Sequence, residues 1–101
     1  MFNMFNKLSV KRYVKKLRPV LEKKYGQRNT YSARQIRTTV FKANFNVRYL
    51  PLAYIMCLKK DEIISVLDVE FPELCVTEFE QTISNLVESP EIAQHFNTLL
   101  T

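Results

Sequence analysis

One glycine and four prolines in 101 residues leave little material for hairpin turns or barrel corners. No Asn-Gly or Asp-Gly pair separates alternating apolar stretches, so an all-β architecture is a poor fit. Cysteine and histidine are almost as scarce. Cys57 and Cys75 have no CxxC spacing, and the only histidine is His95. A metal site would have to be assembled almost wholly from carboxylates, and the two cysteines read as reduced, partly buried thiols. No metal and no cofactor is therefore expected. A chain with a single glycine cannot form a glycine-rich phosphate loop, and His95 has no serine or cysteine motif partner. Glu78 and Glu80 more simply serve a helix N-terminus. The expectation is a protein that is not an enzyme.

Long hydrophobic runs are missing too. The longest uncharged, apolar-rich stretch, Tyr49 to Leu58, has ten residues, about half of what a membrane span needs. Charge at Lys7, Lys11 and Arg12 interrupts the N-terminal stretch before a secretory signal can form. These features lead us to expect a soluble, cytoplasmic protein.

What is present is enough apolar material for one core, with hydrophobic residues at 47%. The length suits one domain spanning 1–101, with residues 1–6 the segment most prone to fray. The charge is divided. Residues 1–50 carry thirteen Lys and Arg against Glu22 alone, a net of +12, whereas residues 51–101 carry Lys59 and Lys60 against nine acids, a net of −7.

The apolar residues follow helical steps. Val10, Tyr13, Val14, Leu17, Val20, Leu21 and Tyr25 fall on one face, with Lys7, Lys11, Lys15 and Arg18 on another and Arg12, Lys16, Lys23 and Lys24 beside it. Pro19 predicts a break or kink, after which a second short helix runs to Gly26. Ser32 and Gln35 have capping-box spacing, and Tyr31 and Ile36 that of a hydrophobic staple, which predicts a helix over Ala33–Ala43. Asn44 and Asn46 are cap candidates ahead of a helix from about Val47, charge-free from Leu50 to Leu58 and hence central to the core. Asp61 is a cap candidate for a helix ending before Phe71-Pro72, and Thr77 with Glu80 repeats the capping-box spacing. Ser89-Pro90 opens the last helix. The fold class expected is all-α, a single domain of about six short helices with a central apolar one.

Function then rests on surface charge. Lys7, Lys11, Arg12, Lys15, Lys16 and Arg18, with Arg34 and Arg37 on the capped helix, are the candidate residues for binding an anion, nucleic acid in particular, because cations at helical spacing neutralise backbone phosphates. Tyr13 and Tyr25 could stack on bases, although they lie on the apolar face. A helix-turn-helix built from Ala33–Ala43 and Val47–Leu58 fits badly, since the second helix has almost no polar side chain to read base edges. The competing reading is a protein-interaction module, with an acidic protein or a second copy pairing through complementary faces around Asp61, Glu62, Glu73, Glu78 and Glu80. Membrane-surface contact through Phe2, Met4 and Phe5 ahead of the basic helix ranks below both.

The run Lys11-Arg12-Tyr13-Val14-Lys15-Lys16-Leu17-Arg18-Pro19-Val20-Leu21-Glu22-Lys23-Lys24-Tyr25-Gly26, followed by Tyr31-Ser32, Gln35-Ile36, Ala53-Tyr54 and Met56, resembles a family of short uncharacterised bacterial proteins. Its members share a basic segment ending in Tyr-Gly, a Tyr-Ser/Thr capped helix and an apolar helix. The family is a domain of unknown function. The resemblance thus implies a recurring fold and brings no catalytic or binding residues with it.

Overall fold

The computed structural model describes the backbone of residues 2–100 and the side chains from Asn6 onward. Met1 and the side chains of Phe2, Met4 and Phe5, the candidate membrane anchor, lie outside the described residues. Seven α-helices and no strand occur among the described residues: α1 (Phe2–Arg12), α2 (Arg18–Tyr25), α3 (Ala33–Lys42), α4 (Leu50–Cys57), α5 (Lys60–Glu70), α6 (Val76–Leu86) and α7 (Pro90–Leu100). The first helix begins at Phe2.

Pro19 does not break the chain. A π-helical turn, Tyr13–Leu17, joins α1 directly to α2, and Arg18 keeps helical angles of φ −61° and ψ −45° although a proline follows it. Proline lacks the N–H that would bond four residues back, and its ring presses on that carbonyl. A wider turn just upstream relieves the clash without ending the helix, so the expected break becomes a local widening. The widening also keeps Val10, Tyr13, Leu17 and Leu21, all fully buried, on the core side. Gly26 then ends α2 at φ +90°, a region that penalises any residue with a Cβ.

The Ser32–Gln35 capping box forms as expected: the Gln35 N–H donates to Ser32 Oγ, the Ser32 N–H donates to Gln35 Oε1, and both Tyr31 and Ile36 are buried. Asn44 leaves α3 at φ +59°, the left-handed conformation asparagine tolerates at a helix end. Asn46 caps the next segment by accepting the Arg48 N–H, but what it opens is a 3-10 turn, Val47–Tyr49. α4 follows with Pro51 in its first turn. Every residue from Leu50 to Leu58 is buried. α4 packs against α3, α5, α7 and the π turn, while α1 packs against α6. A helix apolar on all sides is stable only when protein surrounds it, and this one is the centre of the core.

Two expected caps are corrected. Lys59 occupies the N-cap of α5 and Cys75 that of α6, neither with a side-chain cap bond. Asp61 and Thr77 fall inside the first turns instead. In α5, Asp61 and Glu62 there favour the positive end of the helix dipole, as Glu78 does in α6. Ser89 caps as expected, its Oγ accepting the Ile92 N–H at 3.3 Å.

The two thiols are separated by burial: Cys57 is fully enclosed and Cys75 is exposed. Burial pushes the Cys57 thiol up to about 11, the charge of Arg18 opposing and that of Glu91 adding to the shift. A thiol reagent at neutral pH should therefore modify one cysteine of the native protein quickly and the second only in denaturant. Two equally fast thiols would contradict the enclosure of Cys57.

Candidate functional site: a lysine-lined helix

The α1–π turn–α2 unit runs unbroken over residues 2–25, a rod of roughly 33 Å, close to the 34 Å longest dimension of the molecule. Its buried stripe faces the core, and its outer surface carries exposed Lys7, Lys15, Lys16, Lys23 and Lys24 with half-buried Lys11. None of these lysines makes a hydrogen bond or an ion pair among the described residues, and the one link of any kind is Lys24 Nζ above the Tyr25 ring at 5.5 Å. Glu22 is the only acid on the rod.

The arginines behave differently. Arg12 donates from Nη1 to the Asn44 carbonyl and from Nη2 to the Ala43 carbonyl, both at 2.6 Å, and its guanidinium lies 4.1 Å from the centre of the Phe45 ring. It clamps the carbonyl end of α3, where a cation also meets the negative end of the helix dipole. Arg18 donates to the carbonyls of Arg28, Asn29 and Met56, tying the loop after α2 to the end of α4. Arg37 pairs with Glu70 Oε2 at 2.8 Å, the only ion pair among the described residues, and Glu70 Oε1 accepts the Tyr54 hydroxyl at 2.5 Å. Three of the eight candidate residues thus engage the fold. Lys7, Lys11, Lys15, Lys16 and Arg34 do not, and the first four share the rod while Arg34 stands on α3.

The distinction has a chemical basis. A planar guanidinium offers five N–H groups in a fixed fork and stacks on rings, whereas an ammonium is a strongly hydrated point charge that stays in water at little cost. Arg12→Lys should therefore lose both the paired carbonyl contacts and the ring stacking, lowering unfolding stability by about 2 kcal/mol in urea denaturation. Lys15→Arg, at a position facing water, should change it by less than about 0.5 kcal/mol.

The tyrosines considered for base stacking are committed inward. Tyr13 is buried, donates to the Asn46 carbonyl at 2.6 Å and packs 5.1 Å from Phe45. Tyr25 is half-buried, with its ring 6.4 Å from that of Tyr31. Cations outside the candidate set also face solvent, Arg28 in the loop after α2 and Arg48 in the 3-10 turn among them. Neither sits in a periodic stretch, so helical spacing cannot assign them a face. Of the acids of the second half, Asp61, Glu62, Glu73 and Glu78 are exposed and Glu80 is half-buried, and none forms an ion pair among the described residues. No described helix is long and apolar enough to cross a membrane, and no group of three or more metal-ligating side chains occurs among the described residues.

Over residues 1–100 the chain matches the family described as "Family of unknown function (DUF6559)". No curated protein and no solved structure matches it.

Proposed function

The chain belongs to this family of unknown function, and within it we propose a non-catalytic cytoplasmic binding module whose lysine-lined helix contacts an anionic partner, nucleic acid above all. The observation that carries this reading is the state of the six lysines on the rod: fifteen basic and ten acidic residues yield one ion pair among the described residues, and it involves none of those lysines. Positive charge spaced from Lys7 to Lys24 along roughly 26 Å of helix, with Glu22 the one acid among it, is suited to a polyanion, because each ammonium placed beside a phosphate releases a condensed counterion. Arg34 and the exposed Arg28 extend the positive surface beyond the rod. With its tyrosines turned inward, such a surface would read backbone and shape more than sequence.

Fluorescence anisotropy of labelled duplex DNA, single-stranded DNA and RNA at several salt concentrations tests the proposal. Contact of four to six lysines with phosphates predicts a slope of log K against log salt of roughly −3 to −5. Absence of binding even at about 20 mM salt would end the nucleic-acid reading.

A second reading draws on the acidic half. Exposed carboxylates on α5 and α6 offer surfaces of the opposite sign to the lysines, so an acidic protein or a second copy of this chain could meet the same helix. Light scattering at low and high salt separates these: a dimer that dissociates with salt supports self-association, and a monomer throughout removes it.

A further inference from the structure

A cleft of about 420 Å³ opens between Arg18 at the start of α2, the α4–α5 junction and α7. Its size falls in the range of small-ligand sites. Ile55, Met56, Leu58, Ile63 and Leu99 supply an apolar lining. The polar groups around it do not match one another. Arg18 and Lys60 bring positive charge, Glu91 brings negative charge, and His95 stands one turn along α7 from Glu91.

Arg18 and Glu91 are near enough for both to act on the ionisation of Cys57 and His95, yet they form no ion pair. Opposite charges share the walls of one cleft with a gap between them. Arg18 is held in place by the carbonyls it binds, which engage one N–H of Nη1 and those of Nη2. Its Nε–H and a second Nη1 N–H remain for a ligand. His95 makes no hydrogen bond within the fold among the described residues. Burial, with a further push from Arg18 and against the pull of Glu91, holds it below the ordinary imidazole range, so it is neutral at pH 7.

A simple anion in this cleft would be drawn to Arg18 and Lys60 but repelled by Glu91. A simple cation would meet the reverse. Only a molecule carrying both signs satisfies both walls, and the lining calls for a hydrocarbon body. We propose that the cleft binds a small apolar zwitterion, an apolar α-amino acid, with its carboxylate toward Arg18 and Lys60, its ammonium toward Glu91 and its side chain on Ile55, Met56, Ile63 and Leu99. This site shares Arg18 with the rod but uses none of the rod's lysines.

Isothermal titration calorimetry on the full chain provides the test, with leucine, methionine and phenylalanine as probes. Isocaproate and isopentylamine, which each keep one charge of leucine, serve as controls. Saturable binding of at least one amino acid, with both controls at least about tenfold weaker, is the expected result, since losing a charge-assisted contact costs about that much or more. Glu91→Gln should weaken amino-acid binding by about tenfold, and Lys60→Gln, at an exposed position whose loss leaves folding intact, by about threefold. No saturable heat up to about 10 mM for any amino acid, isocaproate binding as well as leucine, or unchanged affinity in both variants would each overturn the assignment.

Discussion

Replacing Lys7, Lys11, Lys15 and Lys16 together by glutamine will lower affinity for nucleic acid by roughly a hundredfold or more at about 50 mM salt, while the melting temperature moves by no more than a few degrees. Both halves of this result follow from one observation: none of the four makes a bond to the fold among the described residues. Each phosphate contact removed should take about one unit from the salt slope, so the variant's slope should approach that of a chain with only Lys23, Lys24 and scattered cations to offer. Glutamine keeps two of lysine's four methylenes and a similar helix preference, which leaves the helix itself intact. A variant that binds within threefold of the parent would move the contact surface off this helix. One that fails to fold would mean that half-buried Lys11 supports the core through its stem, and the triple variant retaining Lys11 would then carry the measurement.

A segment as basic as the first half would be expected to repel itself or to be neutralised by the acidic half. Among the described residues only Arg37 of that half is paired with an acid, and the fold separates the other charges by residue type. The two guanidiniums of the rod, Arg12 and Arg18, are turned onto the open carbonyl ends of α3 and α4, where they satisfy acceptors that helix geometry leaves unpaired. The ammoniums stay in solvent. The only cross-half ion pair among the described residues, Arg37 with Glu70, fastens α3 to the end of α5.

Much of this architecture was legible before the structure. The Ser32–Gln35 box, the uncharged stretch over α4 and the Ser89-Pro90 start are local signals whose physics is complete within a few residues, and they appear where expected. Pro19 was misread because its local preference for ending a helix competes with the burial of Tyr13, Leu17 and Leu21 on a single face, and burial wins by widening one turn. Asp61 and Thr77 were misassigned as caps because a polar residue near a helix start suits either the cap or the first turn. The arginine clamps were hidden for another reason. Arg12 meets Asn44 and Arg18 meets Met56, contacts 32 and 38 residues apart that no helical period encodes. The one hint was the choice of arginine over lysine at positions 12, 18 and 37.

Alkaline pH should unfold this protein well before it denatures its backbone. Burial raises the Tyr13 hydroxyl far above the ordinary phenol range, with Arg12 opposing. Burial also pushes Tyr54 up to about 12, with Glu70 reinforcing and Arg37 opposing, and Cys57 up to about 11. In each case the folded chain holds its proton to higher pH than the unfolded chain does. The associated stability is complete below the ordinary values of 10.0 for tyrosine and 9.0 for cysteine, and it drains away as pH climbs toward the folded ones. Tyr54 and Cys57 together thus tie on the order of a few kcal/mol to remaining protonated. That is a large fraction of the 5–15 kcal/mol typical of small domains. Urea midpoints measured from pH 8 to 12 should fall steeply above pH 9, with the tyrosinate absorbance of Tyr13 and Tyr54 appearing at the unfolding transition and not before it. Cys57→Ala should flatten the first part of the decline, between pH 9 and 11, because the thiol is the earliest of the three to titrate in the unfolded chain. Midpoints that hold level to pH 11 would show that the enclosed hydroxyls and thiol reach solvent without unfolding, and would contradict the burial of Tyr54 and Cys57 against α4's neighbours.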